Sequence, residues 1–195
     1  IKTFCYTCEG LSSFATSVYS YYLYFYMRDE FGFNTKENLA LAAFNGLIYT
    51  IAAWQGGKFA QRRGYFTALK VGFVLMMIAW AAGSQWHSAF GVVLMTGVLN
   101  VGMCFLWPTM EAIVSEGGDA VTLPRAVGIY NVALLGGQYM STIAGGLLLG
   151  WLLHRMPIDI LGVEIRHAWQ MVFVLMGLPG LLVAATVALT VPEPP

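Results

Sequence analysis

Apolar residues gather into six long runs, each cut short by a small polar cluster. The runs are Cys5–Met27, Leu39–Phe59, Phe66–Gly83, Ala89–Val114, Pro124–Leu153 and Ala168–Val191. Each reaches the roughly 20 residues that a helix needs to cross a bilayer. The clusters between them are Arg28-Asp29-Glu30, Gln61-Arg62-Arg63-Gly64, Gln85-Trp86-His87 and Glu116-Gly117-Gly118-Asp119. A longer connection, His154 to His167, carries both charge signs. Pro192-Glu193-Pro194-Pro195 cannot continue a helix and reads as the start of a linker. The expected fold is therefore all-α and polytopic: a bundle of six transmembrane helices over 1–191, with linker from 192 to 195. The chain opens on Ile1 and runs almost at once into apolar sequence, so it reads as a piece whose start lies upstream.

The runs differ in polarity. The third and sixth have almost no polar groups. The first carries Ser12, Ser13, Thr16, Ser17 and Ser20, the fourth Asn100 and Glu111, the fifth Asn131, Gln138, Ser141 and Thr142. Polar groups are costly against lipid, so the first, fourth and fifth helices should face protein or a hydrated cavity. Positions one and four behave alike, as do three and six. An internal three-plus-three repeat gives that pattern.

Residues three, four and seven apart share a helix face. Glu9, Ser13, Ser17, Ser20 and Tyr24 form one stripe. Asn100, Cys104, Trp107 and Glu111 form a second, and Asn131, Gln138, Thr142 and Gly145 a third. Three stripes on three helices suggest a shared aqueous cavity. The alternative is interhelical hydrogen bonding that only holds the bundle together. Glu111 is the sharpest single residue: an intramembrane carboxylate is a candidate proton relay, ion site or partner for a cationic solute. Against this, it stands near the helix end and can snorkel. Glu9 raises the same question, nearer its helix start. Gly137, Ser141 and Gly145 form a small-xxx-small face for close helix packing.

Composition agrees with a membrane setting. Apolar residues make up 58% of the chain and charged residues 10%, with zero net charge. The surrounding solvent is lipid, and no nucleic-acid partner is expected without a basic face. Lys2, Lys58, Arg62, Arg63, Lys70 and Arg125 lie on one side of the helices; Arg28, Lys36, Arg155 and Arg166 lie on the other. That bias places both termini in the cytoplasm and suits a plasma (inner) membrane. The pair Cys5-x-x-Cys8 sits inside an apolar run, and packing is the better reading for it. The sequence offers no nucleophile–base pair, phosphate loop, metal cluster or dinucleotide fingerprint, so neither enzyme activity nor a cofactor or metal is expected.

The loop Gly57-Lys-Phe-Ala-Gln-Arg62-Arg63-Gly64 resembles the loop motif of the major facilitator superfamily, matched at Gly57, Phe59, Ala60, Arg62 and Gly64. The motif's acidic position is Gln61 here, and its two basic positions are Tyr65 and Phe66. Helix four, with Gly102, Pro108 and Glu111, and helix six, from Trp169 to Pro192-Glu193, are similar to the same family. Helix five resembles its antiporter signature at Gly128, Gly137 and Gly145-Gly146. There Ser141-Thr142 replaces a Gly-Pro pair, so drug/proton antiport is not implied. The resemblance implies the N-terminal half of a roughly twelve-helix secondary transporter. A second six-helix half of the same polypeptide would complete it, and a small-molecule substrate would move by alternating access. It implies a cytoplasmic latch at Gly57, Arg62, Arg63 and Gly64, weakened by the missing Asp. Candidate cavity residues are then Ser17, Ser20, Tyr24, Asn100, Trp107 and Asn131, with Glu111 for coupling. A transporter-like receptor or scaffold that binds without transport is the alternative reading.

Overall fold

The computed structural model describes residues 2–83, 88–153, 158–160 and 163–165. The sixth apolar run and the proline-rich end fall outside them, as do His87, His154 and His167. Five helices follow in chain order: α1 (Lys2–Phe31), α2 (Thr35–Arg63), α3 (Tyr65–Gly83), α4 (Ala89–Ser115) and α5 (Thr122–Leu153). They contain the first five apolar runs and extend past most of their ends. After α5 comes a short antiparallel pair, β1 (Ile158–Ile160) and β2 (Val163–Ile165), with Ile158 opposite Ile165. The sequence reading had only a connection there. The alternation in Ile158-Asp159-Ile160 and Val163-Glu164-Ile165 is the period-two signal of a strand, but three residues are too few to stand out.

Polar caps, not apolar runs, set the helix ends. Gly32 has φ 70°, and the N–H groups of Gly32 and Phe33 fold back onto the carbonyls of Arg28 and Met27. This left-handed glycine ends α1 four residues beyond the end of its predicted apolar run. The Asn34 side chain accepts from the backbone N–H of Lys36 and Glu37, at 2.8 and 3.1 Å, while Glu37 accepts from the Asn34 N–H at 2.8 Å. That reciprocal capping box starts α2. Asn34→Ala is expected to cost about 1 kcal/mol, read from equilibrium unfolding of the solubilised protein. No loss would mean that Asn38, which donates to the Tyr24 carbonyl, holds this end instead. Asp119 caps α5 by accepting from Thr122 and Val121. These bonds, the Thr122 backbone N–H first, hold its carboxyl below the usual carboxylate range. The stabilisation is present above the ordinary carboxylate range and is lost as pH falls through the lowered value.

The helices pair in a regular way. α1 packs chiefly on α5, and α4 chiefly on α3 and α2. On the α1–α5 seam, Gly137 meets Gly10, Ser141 Oγ donates to the Phe14 carbonyl, and Gly145 meets Val18. The offset along the chain is a constant 127, so the two helices run parallel. On the α2–α4 seam, Asn100 bonds Asn45 and Cys104 bonds the Tyr49 carbonyl, both at an offset of 55. α1·α5 and α4·α2 are the same pairing in two successive three-helix units, which is the geometry of a three-plus-three repeat. Between α3 and α4, Gly72 and Gly102 stand face to face: a Cβ on either would lie 2.9 Å from the other's carbonyl oxygen. Small residues thus bring three helix pairs to backbone contact.

α1 and α4 form the centre, with Val18, Met27, Leu99, Leu106, Met110 and Val114 fully buried. α3 and α4 have mean hydropathies of 1.7 and 2.0 and are long and apolar enough to cross a membrane by composition alone. In α1 the buried face is rich in Ser and Thr, so its polarity is spent inside the bundle. α2 and α5 turn large apolar side chains outward, among them Leu47, Ile51, Trp54, Val132, Met140 and Leu147. Such a belt suits lipid or another helical bundle better than water.

Candidate transport site

The stripes read from the sequence separate once neighbouring helices are in place. Glu9 is 0% exposed. Its Oε1 accepts from Ser13 Oγ at 2.7 Å, one turn further along α1. Its Oε2 accepts from Tyr130 Oη of α5 at 2.7 Å, and that hydroxyl also lies 3.4 Å from the Trp107 carbonyl of α4. The carboxylate and its tyrosine partner together therefore join three helices. The groups that act electrostatically on it include Glu111, which is exposed on α4.

A second polar cluster lies beside the first, between α2 and α4. Asn100 Nδ2 donates to Asn45 Oδ1 at 3.0 Å, and Cys104 Sγ donates to the Tyr49 carbonyl at 3.3 Å. The Tyr49 and Trp107 rings lie 6.3 Å apart. Both rings are half-buried. Two neighbouring aromatic rings of this kind suit a positively charged group.

The remaining candidates lie elsewhere. Ser17 is buried on α1. Ser20 is exposed and donates to the Thr16 carbonyl at 3.1 Å. Tyr24 is half-buried toward the far end of α1, where its carbonyl accepts from Asn38. Asn131 is exposed on α5, next to Tyr130 but on another face. Gly137, Ser141 and Gly145 all turn toward α1. In the latch-like loop, Arg62 and Arg63 are exposed in the last turn of α2 and Gly57 is half-buried. Gly64 alone separates α2 from α3. Its φ of 92° with ψ 149° is open to glycine and strained for any residue with a Cβ, which explains glycine at this point of the motif. The cysteines Cys5, Cys8 and Cys104 are all buried thiols.

Tyr130, Asn45 and Tyr49 were not among the residues singled out from the sequence. Tyr130 carried a signal, since it shares a helical face with Gly137 and Ser141. Asn45 is a lone amide in an apolar stretch of α2.

The sequence model of the Major Facilitator Superfamily matches residues 5–195. The chain belongs to this superfamily. It is thus a multi-pass integral membrane protein of a transporter family, not an enzyme. A similar solved structure is that of a bacterial homologue of the human lysosomal transporter Spinster, in an inward-facing and occupied conformation. The TM-score is 0.69 at 19% sequence identity, over 100% of this chain and 44% of that one. At that identity the likeness speaks for the fold. The chain spans less than half the length of that superfamily structure. No curated protein matches it.

Proposed function

We propose that this bundle is one half of a secondary active transporter that carries a small solute across the membrane by alternating access. The exposure of Glu111 carries the reading. It stands on the most apolar of the described spans, a turn beyond Pro108, yet its side chain is open. A carboxylate facing lipid is too costly, so this face of α4 borders a hydrated space. Asn100 and Trp107, on the same helix, are proposed to line that space, with Ser17, Ser20 and Tyr24 further along α1 and Asn131 on another face of α5 proposed as more distant contacts for the solute, and Glu111 couples solute movement to a cation. The open apolar faces of α2 and α5 suit a second six-helix half of the same polypeptide. Termini on the cytoplasmic side of the plasma membrane follow from the Lys/Arg bias, and Arg62 with Arg63 would contact the second half there as a latch.

The test is flux. The native full-length polypeptide, purified into sealed vesicles, is offered a panel of radiolabelled small solutes, with and without an imposed pH gradient. Saturable uptake of one of them is expected. Tight binding with no flux would replace transport by the receptor or scaffold reading.

A further inference from the structure

The seam between α2 and α4 carries few charges. α2 has none between Glu37 and Lys58, and the only charged residue of α4 is Glu111. Lys58 lies over the exposed Trp54 ring, 3.7 Å from its centroid, and makes no ion pair among the described residues. Glu111 is exposed and likewise makes no ion pair among them. One turn before Glu111, on the same face of α4, stands Trp107. Its ring lies 6.3 Å from the Tyr49 ring at an interplanar angle of 54°.

These two aromatic residues are held by their backbones. Cys104 Sγ donates to the Tyr49 carbonyl at 3.3 Å, and Tyr130 Oη lies 3.4 Å from the Trp107 carbonyl. α2 is clamped to α4 on both sides of Tyr49. On one side is the Asn45–Asn100 bond, and on the other is Gly56, where a Cβ would lie 2.7 Å from the Cys104 carbonyl oxygen. The half-buried rings thus form a fixed platform whose polar tips are not needed to hold it. The Asn45–Asn100 bond uses Nδ2 of Asn100 and leaves its Oδ1 without a partner among the described residues, as is Tyr49 Oη. Both atoms can accept a hydrogen bond.

A ring face attracts a cation within about 6 Å of its centroid, more strongly where water is partly excluded. An anion brought here would meet the like charge of Glu111. An uncharged hydrocarbon would leave a carboxylate and two acceptors unanswered. An organic ammonium ion answers all of them: its charge faces the rings and Glu111, and any N–H it carries can be donated to Tyr49 or Asn100.

We propose that the solute is an organic ammonium ion, seated on the Tyr49–Trp107 platform between α2 and α4. The proposal rests on the transport reading and names the class of solute, and binding at the platform can be measured without transport.

The experiment is equilibrium dialysis of radiolabelled benzyltrimethylammonium against the full-length protein in vesicles, with protein-free vesicles as the blank. A quaternary probe has no N–H, so it reads the ring faces alone. Saturable binding is expected, displaced by choline and not by its uncharged carbon isostere, dimethylbutanol. Tyr49→Leu and Trp107→Leu are each expected to weaken binding about tenfold, whereas Tyr49→Phe, which keeps the ring, retains it. Phe90→Leu, at an exposed ring near the start of α4, should leave the affinity unchanged. Should the leucine variants fail to fold, the choline and dimethylbutanol competition on the unaltered protein still decides. Equal displacement by the two competitors, no saturable binding, or unchanged affinity in both leucine variants overturns the proposal, as does an equal loss in Phe90→Leu. Binding without flux of the probe would keep this site and remove transport. Saturable flux of another solute, with no binding of the probe, would remove the site and leave transport standing.

Discussion

Replacing Gly137 by alanine is expected to lower the thermal midpoint of the solubilised full-length protein by about 5–10 °C, the shift that ~2–3 kcal/mol gives in a domain of this size. A methyl group there would collide with the Gly10 carbonyl oxygen and lie 3.1 Å from the Phe14 backbone nitrogen. Both obstacles are main chain, so no side-chain rotation relieves them. α5 must then move off α1, which strains the Ser141–Phe14 bond one turn away. Overpacking of this kind typically costs 1–3 kcal/mol, and a rigid obstacle belongs at the upper end. Gly136→Ala is the matched control: it is exposed and a Cβ meets nothing within 4 Å. It should leave the midpoint unchanged or raise it, because alanine favours a helix by up to ~1 kcal/mol over glycine. Equal losses at both positions would mean that helix propensity, and not the α1–α5 contact, sets the response.

Glu111→Gln is expected to cut solute uptake about tenfold when the driving cation is scarce, and far less when it is abundant. An open carboxylate beside a second, buried one makes a negative cleft, and such clefts raise local cation concentration by 10-fold or more. Removing the outer charge should therefore raise the cation concentration needed for half-maximal uptake and leave the maximal rate nearly intact. Initial uptake rates across a series of imposed pH gradients separate these two quantities. A change in maximal rate alone would place Glu111 in the translocation step and not in cation capture. No change at any pH would end its coupling role.

How much of this was legible in the sequence depended on whether one helix was enough to show it. The five described helices were visible because lipid-length apolar runs are a property of each segment by itself. Their ends were less so: Arg28–Glu30 and Thr35–Asn38 are polar, and their helical form rests on the Gly32 cap and the Asn34–Glu37 box. The stripe containing Glu9 and Ser13 was read from spacing alone, and the two do bond. What spacing does not reveal is which stripe meets protein and which meets water. Glu111 drew attention as a carboxylate inside an apolar run, and it is the open one. Glu9, nearer its helix start, is the closed one, because Tyr130 reaches it from 121 residues away. The Asn45–Asn100 pair is of the same kind, since each amide is unremarkable until the other helix is placed.

The uniform spacing of the α1–α5 contacts constrains how these two helices can move. Gly137 and Ser141 fit against the backbone of Gly10 and Phe14, Gly145 fits against the Val18 side chain, and α5 carries larger residues between them, among them Gln138, Tyr139, Met140 and Ile143. A slide by a fraction of a turn would push those larger side chains into the main chain, and the next matching register lies four residues on, about 6 Å along the axis. Such a seam works like a ratchet with one deep notch and no shallow ones nearby. Any gate at this end of the protein is then expected to open by tilting α1 and α5 as a single lever, with the notch as its rivet.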